Sequence, residues 1–113
     1  MSQNRNKLII LFIGNVSNAI VHEILEKAIN NKEITDKYRK EIVNSLDKAK
    51  EYREKINPKN MGLSDKDVQN VKNKITNKVK TELKIRISKG YEGINLDLVE
   101  EMVDKYLKET NII

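Results

Sequence analysis

His22 is the only histidine of the chain, and Glu26 follows it one helical turn later. An imidazole and a carboxylate at this spacing could bind one metal ion from the same helix face. A catalytic zinc site needs three protein ligands, and a diiron bundle takes a Glu-x-x-His pair from each of two helices. Ala19 stands where the acid of that motif would lie. We therefore expect no metal and no other cofactor, and a partly exposed His22 in i,i+4 contact with Glu26.

Nucleophilic catalysis finds no support either. The chain has no cysteine, which excludes disulfides, thiol chemistry and cysteine-ligated metal sites. Ser17, Ser45, Ser64 and Ser88 lack the glycine context of a nucleophile elbow, and Ser17 lies five residues before His22, off its helical face. No Walker loop and no G-x-G-x-x-G motif occurs. We expect a protein that is not an enzyme.

Charge is distributed unevenly along the chain. The sequence has 22 Lys and Arg against 17 Asp and Glu, a formal net charge of +5. Residues 58–90 are strongly basic, whereas residues 91–113 are acidic. These two segments either neutralise each other across a helix–helix contact or bind different partners.

The basic segment contains a candidate phosphate-binding set. On a helical wheel these residues spread around much of the circumference, whereas phosphate tracking along a groove would prefer one stripe. Few aromatic residues that could stack on nucleic-acid bases lie among them. The set consists of Lys72, Lys74, Lys78, Lys80, Lys84, Arg86 and Lys89.

Turn-forming residues divide the chain into four segments with helical periodicity. They lie at residues 30–31, 57–62 and 90–93. The segments run from about Lys7, from Thr35 as a candidate N-cap, from Ser64 and from about Asn95. Four helices with short connections predict a mainly α, four-helix bundle-like fold, with residues 1–113 forming a single helical domain.

The third segment carries the clearest boundary signals. Ser64 with Asp67 three residues later is an acidic variant of the capping box, and Gly90 is a candidate C′ residue. Between them an apolar stripe recurs at helical spacing and predicts the buried face: Val68, Val71, Ile75, Val79, Leu83 and Ile87.

Two short stretches also permit an alternative α+β fold. Residues 8–13 are six consecutive apolar residues, and apolar residues alternate with polar ones over 83–88. Since a lone strand cannot satisfy its backbone hydrogen bonds, the two strands would have to occur together.

The first segment is apolar around its whole circumference at its start. A four-helix monomer is expected to bury one face of each helix, so this excess favours a homodimer or a larger oligomer. Within this segment a small-residue ridge at helical spacing would let another helix approach closely; it consists of Gly14, Ser17, Asn18 and Val21. The predicted self-association residues are Leu8, Leu11, Phe12, Gly14, Asn18 and Val21.

The uncharged stretch from Leu8 to Val21 is shorter than the ~20 residues that span a bilayer. We therefore expect a cytoplasmic protein without a membrane span. The sequence favours a non-enzymatic helical interaction or assembly module that associates with itself or with another protein. The alternative is a basic, nucleic-acid-associated protein that contacts backbone phosphates through residues 66–89.

Overall fold

A computed structural model describes residues 5–29, 31–56, 63–110 and 112. This part of the chain forms four α-helices and no strand: α1 (Arg5–Ala28), α2 (Lys32–Ile56), α3 (Asp65–Ser88) and α4 (Leu98–Glu109). The predicted four-helix, mainly α fold is confirmed. The alternative strands are wrong, because residues 8–13 lie within α1 and residues 83–88 within α3.

α1 is the central helix of the fold. It packs against α2, α3 and α4, whereas α2 contacts only α1 among the four helices. α3 and α4 also contact each other. A helix with neighbours on three sides must be apolar around most of its circumference, which is what the first segment of the sequence provides.

This central position corrects the predicted self-association surface at three residues. The exposed fractions of Leu8, Phe12 and Val21 are only 4%, 0% and 4%, so their side chains belong to the core of a single chain. We expected a monomer to bury only one face of the first helix, and this was wrong because three helices pack around α1. Leu11 and Gly14 are half-buried, and Asn18 is exposed.

The ends of α3 follow the local sequence signals. The Ser64 hydroxyl accepts a hydrogen bond from the backbone N–H of Asp67 at 3.2 Å. At the other end Gly90 has a φ of 99°, and its N–H donates to the Ile87 carbonyl at 3.0 Å. The N–H of Tyr91 donates to the Arg86 carbonyl at 3.1 Å, which completes a Schellman motif.

Two local expectations were wrong. α2 begins before Thr35, because the Asn31 side chain accepts hydrogen bonds from the backbone N–H groups of Glu33 and Ile34 and so caps an earlier turn. Ile87 was expected to continue the buried stripe of α3, but it is 40% exposed, whereas Val71, Ile75, Val79 and Leu83 are buried.

α1 is also long and apolar enough to cross a membrane by length and composition alone. Its 24 residues include an 18-residue window with a mean hydropathy of 1.8. The sequence-based expectation considered only the uncharged stretch, which is shorter than the helix. In this fold 56% of that window is buried inside the protein, and both the core helix of a soluble protein and an N-terminal signal sequence can be equally long and apolar.

Candidate functional site

Two of the seven predicted phosphate-binding bases are neutralised by α4. The Nζ of Lys72 lies 3.0 Å from Oδ1 of Asp104, and the Nζ of Lys80 lies 3.5 Å from Oε1 of Glu100. The basic and acidic segments therefore do pair across a helix contact, as one of the two explanations predicted, and among the described residues they do so at these two lysines only. Both pairs are solvent-exposed, so their effect is on local charge more than on stability.

The other five bases form no ion pair within the described part of the chain: Lys74, Lys78, Lys84, Arg86 and Lys89. Lys84 lies opposite the buried side of α3 marked by Ile75, since nine residues correspond to half a rotation. The remaining four recur at spacings of four, eight and three, which places them on one side of the helix. We call Lys74, Lys78, Arg86 and Lys89 the basic flank of α3.

A cavity of about 260 Å³ lies between α1 and α3, beside the basic flank. We call it the α1–α3 cavity. The residues of α3 that line it are all charged: Lys78, Glu82 and Arg86. The residues of α1 that line it are small or medium-sized: Gly14, Ser17, Asn18 and Val21.

The small residues of α1 leave room for the side chains of α3. A Cβ atom at Gly14 would lie 3.9 Å from the Nζ of Lys78, so the ammonium group reaches over the glycine. The exposed Asn18 also contacts α2, because its Nδ2 donates a hydrogen bond to the Ser45 hydroxyl at 3.2 Å. In the sequence these small residues suggested a close helix approach; in the fold they line a cavity.

Two polar atoms of the cavity lining are buried without a hydrogen-bond partner. Ser17 is only 2% exposed, and its Oγ has no partner in the described part of the chain. The same holds for the Nε of Arg86, whose guanidinium lies 5.7 Å from the Tyr91 ring. A buried polar group without a partner costs about 1–3 kcal/mol. These atoms therefore mark a place where a polar ligand would regain hydrogen bonds.

His22 lies one residue beyond the cavity lining and has a different partner from the one predicted. It is buried, and its Nε2 lies 3.0 Å from Oε2 of Glu41 while its ring stacks on Tyr38 with centroids 5.2 Å apart. Burial lowers the pKa of His22, the Glu41 carboxylate partly opposes this, and the Arg86 charge adds to it.

The expected contact of His22 with Glu26 was therefore wrong, as was its partial exposure. Glu26 instead forms an ion pair with Arg39 of α2. These partners come from another helix, which spacing along α1 alone does not show. Among residues 5–29, 31–56, 63–110 and 112, no three His, Asp or Glu side chains come together in a way that could hold a metal ion.

Sequence reasoning singled out Lys78 and Arg86, and it noted Ser17 in the small-residue ridge of α1. It did not identify Glu82, which lies one turn from each of the two bases. That i,i+4 spacing was the available signal. Comparison of the chain with known protein families, curated proteins and solved structures gave no match.

Proposed function

We propose that this protein is a non-enzymatic, cytoplasmic binding module that contacts the backbone phosphates of a nucleic acid through the basic flank of α3. The observation that carries the proposal is the division of charge on α3. Lys72 and Lys80 are neutralised by α4, whereas the four bases of the basic flank form no ion pair in the described part of the chain.

This division removes one objection to phosphate binding. The seven bases surround much of the helix, but the four of the basic flank share one side, as contact with a phosphate backbone requires. Lys74 and Lys89 are 15 residues apart, which corresponds to about 22 Å along a helix axis. Duplex DNA carries one phosphate per 3.4 Å of axis on each strand, so about six phosphates of one strand fit along this length.

The composition of the basic flank favours contact with the phosphate backbone over recognition of the base sequence. Three of its four bases are lysines, which act as point charges, whereas guanine recognition favours the arginine fork. Arg86 is the one arginine, and its guanidinium is already close to the Tyr91 ring. We therefore expect binding that depends on salt and little on sequence.

Binding of a mixed-sequence oligonucleotide tests this proposal with a matched pair of variants. Lys78→Gln removes a charge from the basic flank, and Lys72→Gln removes one that is paired with Asp104. We expect Lys78→Gln to weaken binding several-fold and Lys72→Gln to leave it nearly unchanged. Absence of binding at ~50 mM salt, or equal effects of the two variants, would contradict the proposal.

Self-association through α1 is a second candidate function, and the exposure of Ile10 favours it. Ile10 is 65% exposed, the highest value among the large exposed apolar residues of the described chain. It lies one turn before Gly14, on the side of α1 that carries the still accessible part of the predicted surface: Leu11, Gly14 and Asn18.

Light scattering at tens of micromolar tests this second candidate. A dimer would have twice the 13.1 kDa mass of the chain. Ile10→Asn should then restore the monomer, whereas Ile85→Asn, a change at an apolar residue of α3 that is 43% exposed, should not. A monomeric wild-type protein would rule out this candidate.

A further inference from the structure

The α1–α3 cavity has the chemistry of an oxyanion site. Its α3 wall places a carboxylate between two cations, at i, i+4 and i+8, and none of the three forms an ion pair in the described part of the chain. The net charge of this wall, from Lys78, Glu82 and Arg86, is +1. We propose that the α1–α3 cavity binds a single phosphate group, which reaches beyond the general phosphate contact of the basic flank.

The hydroxyl of Ser17 supports a ligand in the cavity. Ser17 is only 2% exposed, and its Oγ has no hydrogen-bond partner in the described part of the chain. The Nε of Arg86 is also buried without a hydrogen-bond partner in the described part of the chain. Both are donors on residues that line the cavity, so we expect an anion bound there to accept hydrogen bonds from them, and hydrogen bonds to a charged group are stronger than neutral ones.

The size of the cavity fits the same ligand. A water molecule takes about 30 Å³ of liquid volume, so a cavity of about 260 Å³ has room for a phosphate group and several waters. Gly14 contributes to this space, since a larger side chain there would extend toward the Nζ of Lys78.

Glu82 decides which oxyanion is preferred. A carboxylate repels an anion unless the anion donates a hydrogen bond to it. Hydrogen phosphate keeps a P–O–H group at neutral pH and can donate, whereas sulfate has no hydrogen to give. We therefore expect the cavity to prefer phosphate over sulfate, with Glu82 accepting the P–O–H hydrogen.

Calorimetric titration with inorganic phosphate and with sulfate, at constant ionic strength, tests the site. We expect one phosphate per chain and weaker sulfate binding. Ser17→Ala should weaken phosphate binding about tenfold, the loss of one hydrogen bond to a charged group. Glu82→Gln should erase the preference for phosphate over sulfate. Lys84→Gln, a charge change on the far side of α3, should alter neither.

The melting temperature of each variant shows whether a loss of phosphate binding results from unfolding. Because Ser17→Ala removes a buried hydroxyl without a partner, its unliganded melting temperature should equal or exceed that of the wild type. Phosphate binding that is absent, or that Ser17→Ala and Lys84→Gln weaken equally, would overturn the proposal.

A competition experiment distinguishes the two sources of the phosphate group. Because a backbone phosphodiester has no P–O–H group to donate to Glu82, an oligonucleotide without terminal phosphates should bind alongside inorganic phosphate. Displacement of inorganic phosphate would instead show that a backbone phosphate enters the cavity and would contradict the role given to Glu82. The two proposals fail separately. Oligonucleotide binding without saturable phosphate binding would overturn only the cavity site, and saturable phosphate binding without oligonucleotide binding would overturn only the nucleic-acid function.

Discussion

The salt dependence of nucleic-acid binding gives the most quantitative prediction for the basic flank. Each phosphate neutralised on duplex DNA contributes about −0.9 to the slope of log K against log salt concentration. Four contacts, from Lys74, Lys78, Arg86 and Lys89, predict a slope of about −3.6. Between ~50 and ~200 mM salt the affinity should then fall about 150-fold. Lys78→Gln should reduce the slope to about −2.7, a fall of about 40-fold over the same range.

Fluorescence anisotropy with a labelled, mixed-sequence duplex measures this slope directly. Lys72→Gln provides the control, because Lys72 is paired with Asp104 and lies outside the basic flank. It should keep the wild-type slope. A wild-type slope near zero would refute phosphate contact. A slope near −6, reduced equally by both variants, would show that the bases facing α4 contribute as well and that the division of charge on α3 has no functional meaning.

Three further predictions concern stability. Because burial lowers the pKa of His22 below 6.5, the unfolded chain binds the proton more tightly, so the free energy of unfolding falls as pH drops through 6.5. Urea unfolding at pH 7.5 and 5.5 should show a larger loss of stability for the wild type than for His22→Asn. Equal losses of stability in the two proteins would contradict this. Gly90→Ala, at a φ of 99°, should lower the free energy of unfolding by about 1–2 kcal/mol. Gly14→Ala, within α1, should raise it by about 0.5–1 kcal/mol. Thermal melting checks both variants, and a Gly90→Ala variant as stable as the wild type would contradict the turn geometry. Tyr106→Phe removes a hydrogen bond of 3.3 Å to the Glu23 carboxylate and should cost about 1.5 kcal/mol in urea unfolding, and an unchanged midpoint would contradict a structural role for this bond.

Signals that act over a few residues were reliable guides to the fold. The cap at Ser64 and the left-handed Gly90 require only neighbouring backbone groups, and both were confirmed. The predicted start of α2 was wrong because Asn31 and Thr35 are both residue types that cap helices. Residue type alone does not show which of the two caps α2, and in the structure it is Asn31.

The arrangement of α1 was harder to predict, since apolar residues on all sides fit a central helix as well as an oligomer contact. In the structure α2, α3 and α4 all pack against α1, and Phe12 is completely buried. The candidate site depended on the same information. Lys78 and Arg86 stood out by charge, but their meeting with Ser17 depends on how α1 packs against α3.

A nuclear magnetic resonance titration can locate the nucleic acid on α3 and show whether it contacts the basic flank or the side that α4 neutralises. Amide resonances of the labelled protein would be followed while an unlabelled oligonucleotide is added. We expect shifts at Lys74, Lys78 and Arg86, with α4 and the amide of Lys80 unaffected. Shifts centred on α4, or no shifts at all, would contradict this expectation.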